Sequence, residues 1–270
     1  MPSKKPFRKK NTEKPNTPDY NIKKINKLSR QNEGTESIRL NRYIANAGIC
    51  SRRDADQLIQ TGQIKVNDKV IKELGTKVAH TDKVYYQGKL LTRERQVYIL
   101  LNKPRDFITT TKDESNRKTV MSLVKNACDE RIYPVGRLDR NTTGLLLLTN
   151  DGNLSKKLTH PSHKIKKLYQ IELNRPLLQA DMDTISEGVE LEDGMIKVDD
   201  IAIVTPDALN VGVEIHSGKN RIVRRIFESL GYEVIKLDRI MFAGLTKKNL
   251  PRGKWRFITE KELSRLKLLK

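Results

Sequence analysis

Only two cysteines, Cys50 and Cys128, occur in 270 residues, and they form no CxxC. That excludes a disulfide framework and fits a reducing cytosol. Histidine is also scarce. His80, His160, His163 and His216 have no HExxH and no cysteine cluster beside them, so no metal site is expected. No apolar run approaches the length of a membrane span, and the first residues show no signal-peptide core. Acid is short as well: 33 Asp and Glu stand against 53 Lys and Arg, a formal net charge of +20. This excess predicts a polyanionic partner, nucleic acid ahead of a membrane surface. The basic residues recur beside segments that read as folded, which favours nucleic acid over mere solubility. With 36% apolar residues the chain still has a core to bury, and its length predicts two domains and a tail.

Residues 1–37 carry ten Lys and Arg against four acids and almost no apolar periodicity. They read as a disordered basic arm that either screens RNA phosphates or simply solubilises. Order is expected from Ser37, read as the cap of a short helix bearing Leu40, Ile44 and Ala47 and stopped by Gly48. Ser51 with Asp54 three residues on predicts the cap of a second helix, with Ala55, Leu58 and Ile59 inward. "IKVNDKVI" then alternates around Asn67-Asp68, a hairpin signal. From 38 to the high 80s this pattern resembles the S-four-type (alpha-L) RNA-binding domain. The resemblance implies that the two-helix corner faces RNA, with Arg39, Arg42, Arg52, Arg53 and Lys65 as candidate contacts. Arg52 and Arg53 open a helix, where free backbone N–H groups already favour phosphate. Taken singly, each is equally a solvated surface charge.

A second unit is expected over 96–270, with 38–95 as the RNA-binding domain and its linker. "VYILLNKP" reads as a buried strand stopped at Pro104, and "TVMSLVKNA" as a helix. "LYQIEL", "IKVDDIAIV" and "NVGVEIHSG" read as strands. "RIVRRIFESLGYEVIKL" reads as helix, Gly231, strand. The fold class is α+β, with a mixed, mainly antiparallel sheet.

The chemistry concentrates in "PVGRLDRNTTGLLLLTNDG", Pro134 to Gly152. Gly136 and Gly144 do not have P-loop spacing, and no lysine follows the second. A calcium loop starting at Asp139 would need Glu at Asn150. Both readings fail. "GLLLLTN" predicts a strand buried on both faces, with Asp151-Gly152 as a turn behind it. Asp139 therefore lies in the loop feeding a central strand. It is either an acid paired with Arg137 or Arg140, or turned onto Thr142, or a rigidly held nucleophile or base.

This stretch resembles the signature of the pseudouridine synthases of the small-subunit-A and large-subunit-B/E/F branch. "NKPRDFITT" resembles their lysine-proline motif, "KLY" at 167–169 their lysine-x-tyrosine motif, and "GKNRIVRRIFESLGYEVIKLDRI" their third motif. The resemblance runs over about 98–258, and "LPRGKW" at 250–255 is most like the large-subunit-B enzymes. Where the family often has glycine, two residues after the motif's proline, this chain has Asp106; the expected consequence is a different loop backbone with the catalytic residues untouched.

The resemblance implies an rRNA isomerase that breaks the ribose-to-N1 bond of uridine and remakes it to C5, with no cofactor or metal. Large-subunit 23S rRNA is the expected substrate. Small-subunit rRNA and a non-catalytic assembly factor are the alternatives. The resemblance makes Asp139 the catalytic carboxylate, by attack on the anomeric carbon or by elimination to a glycal. Tyr169 would stack on the flipped uracil and serve in proton transfer; by alternation with Ile171 and Leu173 it is equally a sheet-surface residue. Ile222, Val223, Ile226, Phe227 and Leu230 make one helical stripe, flanked by Arg224 and Arg225. Arg224 matches the residue that pairs with the catalytic acid, and Arg225 is left to phosphate or solvent. Arg137 matches the arginine that fills the space of the flipped base. Lys103, Lys167, Lys219 and Arg221 are candidate phosphate contacts. Asp238 and Arg239 read as a possible local pair. A monomer is the family expectation.

Overall fold

The computed structural model describes residues 17–22, 24–25 and 37–269. The first folded unit packs two helices, Leu40–Asn46 and Arg52–Gln60, on a four-stranded antiparallel sheet. Leu40, Ile44, Ala55, Ile59, Ile64 and Val84 form its core. The Asn67-Asp68 hairpin forms as expected, both residues taking positive φ of 46° and 68°. Ser51 caps its helix by accepting from the Asp54 N–H at 3.2 Å. Ser37 does not cap. Ile38–Arg39 instead pairs as a short strand with Lys77–Val78, and the first helix begins only at Leu40.

The second unit is a nine-stranded mixed sheet. Its order runs Asp200–Ile203, Asn210–Ile215, Lys167–Leu173, Val234–Phe242, Thr143–Thr149, Tyr98–Lys103 and Trp255–Phe257. Two short strands, Tyr133–Pro134 and Leu245–Thr246, pair at its sides. All its ladders are antiparallel except one, Val234–Phe242 with Thr143–Thr149. The leucine run is the central strand. Leu145 and Leu147 face one core and Leu146 and Leu148 another, all four at 0% exposure. Period-two alternation in a doubly covered strand requires this.

Gly144 sits where the parallel strands meet, at φ 105°, and a Cβ there would lie 2.3 Å from the Arg239 carbonyl oxygen. Only glycine permits that approach.

Three further expectations change. Asp151-Gly152 is not a turn: Asp151 caps the helix Gly152–Thr159, accepting from Asn153 and Leu154 N–H groups at 3.1 Å. "TVMSLVKNA" yields one helical turn, Val120–Leu123. The basic arm is not wholly disordered. Tyr20 and Ile25 are buried in the second unit's core, and the Tyr20 hydroxyl donates to the Ile258 carbonyl at 2.7 Å. Residues 1–16, 23 and 26–36 of that arm lie outside the described residues.

Candidate active site

Asp139 is placed by its backbone. Lys103 has no solvent exposure, and its Nζ donates to the carbonyls of Pro104, Asp139, Arg140 and Thr142 at 3.1, 3.0, 3.1 and 2.8 Å. Thr109 Oγ1 bridges Leu138, donating to its carbonyl at 2.8 Å and accepting from its N–H at 3.2 Å. The loop before the leucine strand is thereby tied to the strand that ends in Lys103. Burial pulls the Lys103 pKa down to about 8, against the opposing charges of Asp139 and Asp106. Lys103 is thus no phosphate contact. An ammonium closed off from solvent and engaged by four carbonyls cannot reach an RNA backbone.

The turn with Thr142 forms through the backbone, the Thr142 N–H donating to the Asp139 carbonyl at 3.1 Å. The pairing with Arg137 or Arg140 does not: Arg140 pairs with Asp106 at 3.2 Å, and Arg137 is exposed. Among the described residues the half-buried carboxylate has no ion pair. It opens on a cavity of about 290 Å³ that Tyr169, Lys167, Arg137, Arg221 and Arg239 also line. Tyr169 lies at the junction of two cores, half-buried, with Arg239 directly across the ladder.

Asp106 takes φ 67°, the conformation that a glycine adopts freely, and its N–H donates to the Arg140 carbonyl at 3.0 Å. The residue at the family's glycine position thus takes a left-handed backbone. It bonds the Asp139 loop at Arg140, and among the described residues no hydrogen bond or ion pair joins it to the Asp139 side chain.

Arg224 does not pair directly with Asp139. Its Nη1 donates to the Val234 carbonyl at 2.6 Å, and it lies outside the cavity lining. Burial and the neighbouring Arg221 hold its pKa below the usual arginine value, while the charge of Asp139 acts the other way. Asp139 is felt by Arg224 across a gap. Lys167 Nζ donates to the carbonyls of His216 and Ser217 at 2.6 and 3.1 Å, and burial together with Arg239 brings its pKa to about 8.

The other cations divide into rim and interior. Arg137 and Arg221 are exposed at the cavity mouth. Lys219 and Arg225 are engaged by Asp193: Lys219 Nζ donates to its carbonyl at 2.7 Å, and Arg225 pairs with its carboxylate at 2.5 Å. On the helical unit, Arg39 and Arg53 are exposed, Arg52 reaches Asn41 Oδ1 at 3.4 Å, and Arg42 bonds Asn153 of the second unit. Lys65 is exposed on the sheet and alternates with the core residue Ile64, so it points away from the helix-covered face.

Asp238 and Arg239 are not a pair. Asp238 accepts from Thr143 and Arg252 at 2.8 Å and also bonds Lys247. Arg239, 3% exposed, faces the cavity side. Successive residues of a strand point to opposite faces, so the strand period alone separates them.

Asp139, its backbone held by the buried Lys103, and Tyr169, from the strand on the far side of Val234–Phe242, thus line one cavity. Residues 97–229 match the family described as RNA pseudouridylate synthase. Residues 38–84 match the S4 domain. The chain is 42% identical over 235 residues to ribosomal large subunit pseudouridine synthase B of Bacillus subtilis (strain 168), covering 86% of this chain and 96% of that one. The chain belongs to the RNA pseudouridylate synthase family. This synthase is also 34% identical to the dual-specificity RNA pseudouridine synthase RluF of Escherichia coli (strain K12), over 84% of this chain and 77% of the relative. A crystal structure of a pseudouridylate synthase superposes with a TM-score of 0.60 at 28% identity, covering 85% of this chain and 100% of that one. The synthase is therefore an RNA uridine isomerase preceded by an RNA-binding domain.

Proposed function

We propose that this synthase isomerises a specific uridine of large-subunit (23S) ribosomal RNA, with Asp139 as the catalytic carboxylate. The observation that carries the reading is the Asp139 side chain, without an ion pair among the described residues, opening on the cavity beside Tyr169. The near-complete coverage of a large-subunit relative supports the choice of RNA.

A uracil must leave the stack to enter a site of this size. Arg137, exposed at the mouth, is placed to fill the vacated space. Tyr169 offers its ring face to the base and its hydroxyl to a proton transfer. The Asp139 carboxylate meets the anomeric carbon as the N1 bond breaks, either bonding to it or drawing the proton from C2′. The base then turns and C5 bonds to C1′, as the Asp139 oxygen leaves C1′ on the first route or the proton returns to C2′ on the second; the C5 proton is then lost and N1 is protonated. Reactant and product are isomers, so no oxidant or group donor enters the balance. The Lys103 clamp holds the Asp139 backbone still while its side chain reacts.

Pseudouridine mapping of ribosomal RNA from cells lacking the protein tests this. One large-subunit site is expected to vanish, to return with the wild-type chain, and to stay absent with Asp139→Asn. An unchanged map would defeat the assignment.

A further inference from the structure

Arg239 is the buried charge that this chemistry leaves without a task. Its Nε donates to the Leu145 carbonyl at 2.8 Å. Its Nη2 is enclosed and has no acceptor among the described residues. The guanidinium stands 4.6 Å over the Phe242 ring, and among the described residues no carboxylate pairs with it. A buried cation with an unused donor is costly, and such a group persists where something else gains from it. Arg239 lines the same cavity as Asp139, opposite Tyr169 in the ladder.

Depth decides what reaches it. Arg137 and Arg221 at the mouth are exposed, whereas Arg239 is 3% exposed. A phosphate stays with the RNA strand at the rim, and only a flipped base enters. Uracil presents two carbonyl oxygens, and a guanidinium has only donors. When the C1′–N1 bond breaks, its electron pair stays with the base. The negative charge then spreads from N1 onto O2 and O4.

We propose that Arg239 is a catalytic residue that donates to a uracil oxygen and stabilises the base as an anion while it is detached from ribose. The contact strengthens only once the bond has broken, so it lowers the barrier more than it aids binding. This rests on the isomerase reading and adds a residue to it.

The test uses the full chain in single turnovers on large-subunit rRNA transcribed with uridine or with 5-fluorouridine. Fluorine makes the departing base a more stable anion and lessens its need for a cation. Loss of the target nucleoside is followed by mass spectrometry, and RNA binding and thermal unfolding are measured alongside. Arg239→Met is expected to slow the uridine RNA by roughly 100-fold or more. It is expected to slow the fluorinated RNA by at least about tenfold less, with RNA affinity within about threefold of wild type. Arg239→Lys keeps the cation without the fork and is read by the same ratio if the Met variant fails to fold. Equal slowing on both RNAs in the folded variant, or no slowing, overturns the proposal while leaving the isomerase reading intact. An inactive wild type on the uridine RNA overturns both.

Discussion

Lys103 and Asp139 are 36 residues apart, yet one holds the backbone of the other. An ammonium has three donors, and four carbonyls surround this one within 3.1 Å. Replacing it leaves those acceptors unserved around a side chain that has no solvent exposure. Lys103→Met is expected to destabilise the protein by about 2–4 kcal/mol in urea unfolding. It is also expected to reduce turnover, because the Asp139 loop loses its anchor. A stability equal to wild type would show that the clamp is dispensable. The Lys103 side chain was legible as a charge but not as buried. A lysine next to proline at a strand end reads as a surface contact until the opposing loop closes over it.

At the scale of elements, the single parallel ladder decides the site. It joins the strand that follows the Asp139 loop to the strand that carries Arg239. Asp238 reinforces the join, accepting from Thr143 on one side and from Arg252 and Lys247 on the other. Burial pushes the Asp238 carboxyl up, but the Arg252, Lys247 and Thr143 bonds outweigh it and bring its pKa to about 2. A carboxyl with a folded pKa below its unfolded value of 3.8 contributes stability above that value. The contribution fades as pH falls towards about 2. Asp238→Asn is expected to lower stability by about 2 kcal/mol at neutral pH and to flatten the loss between those two pH values. Acid titration of urea unfolding for the two proteins measures it, and parallel curves would refute it. The leucine strand and the helix Ile222–Ser229 were legible because burial enforces their periods. The helix Gly152–Thr159 was not, because an Asp-Gly pair serves a turn and a helix cap equally well in sequence.

At the scale of the whole molecule, the N-terminal segment belongs to the core of the distant C-terminal unit. Tyr20 meets Tyr98 edge to face with ring centroids 5.3 Å apart, and bonds the Ile258 carbonyl. The Asn21 N–H donates to Glu260 in the last helix, at 3.1 Å. Tyr20→Ala in the full chain is expected to cost about 3 kcal/mol or more, as for other large buried rings. Urea unfolding checks it, and a change under 1 kcal/mol would mean that the segment is only laid on the surface.

The sequence by itself determined the two-unit order, the basic surface, the buried leucine strand and the motif that places Asp139 before it. These are local or periodic properties, and each needs only neighbours along the chain. The tertiary structure alone decided which charges are buried. It put Lys103 under the Asp139 loop, gave the Arg224 guanidinium to Val234 rather than to Asp139, and set Asp193 against Arg225. It also turned Arg239 inward with a donor unused among the described residues. A charged side chain has the same composition and period whether it meets water, a carbonyl or a substrate. Only the approach of strands distant in sequence settles which of these it meets.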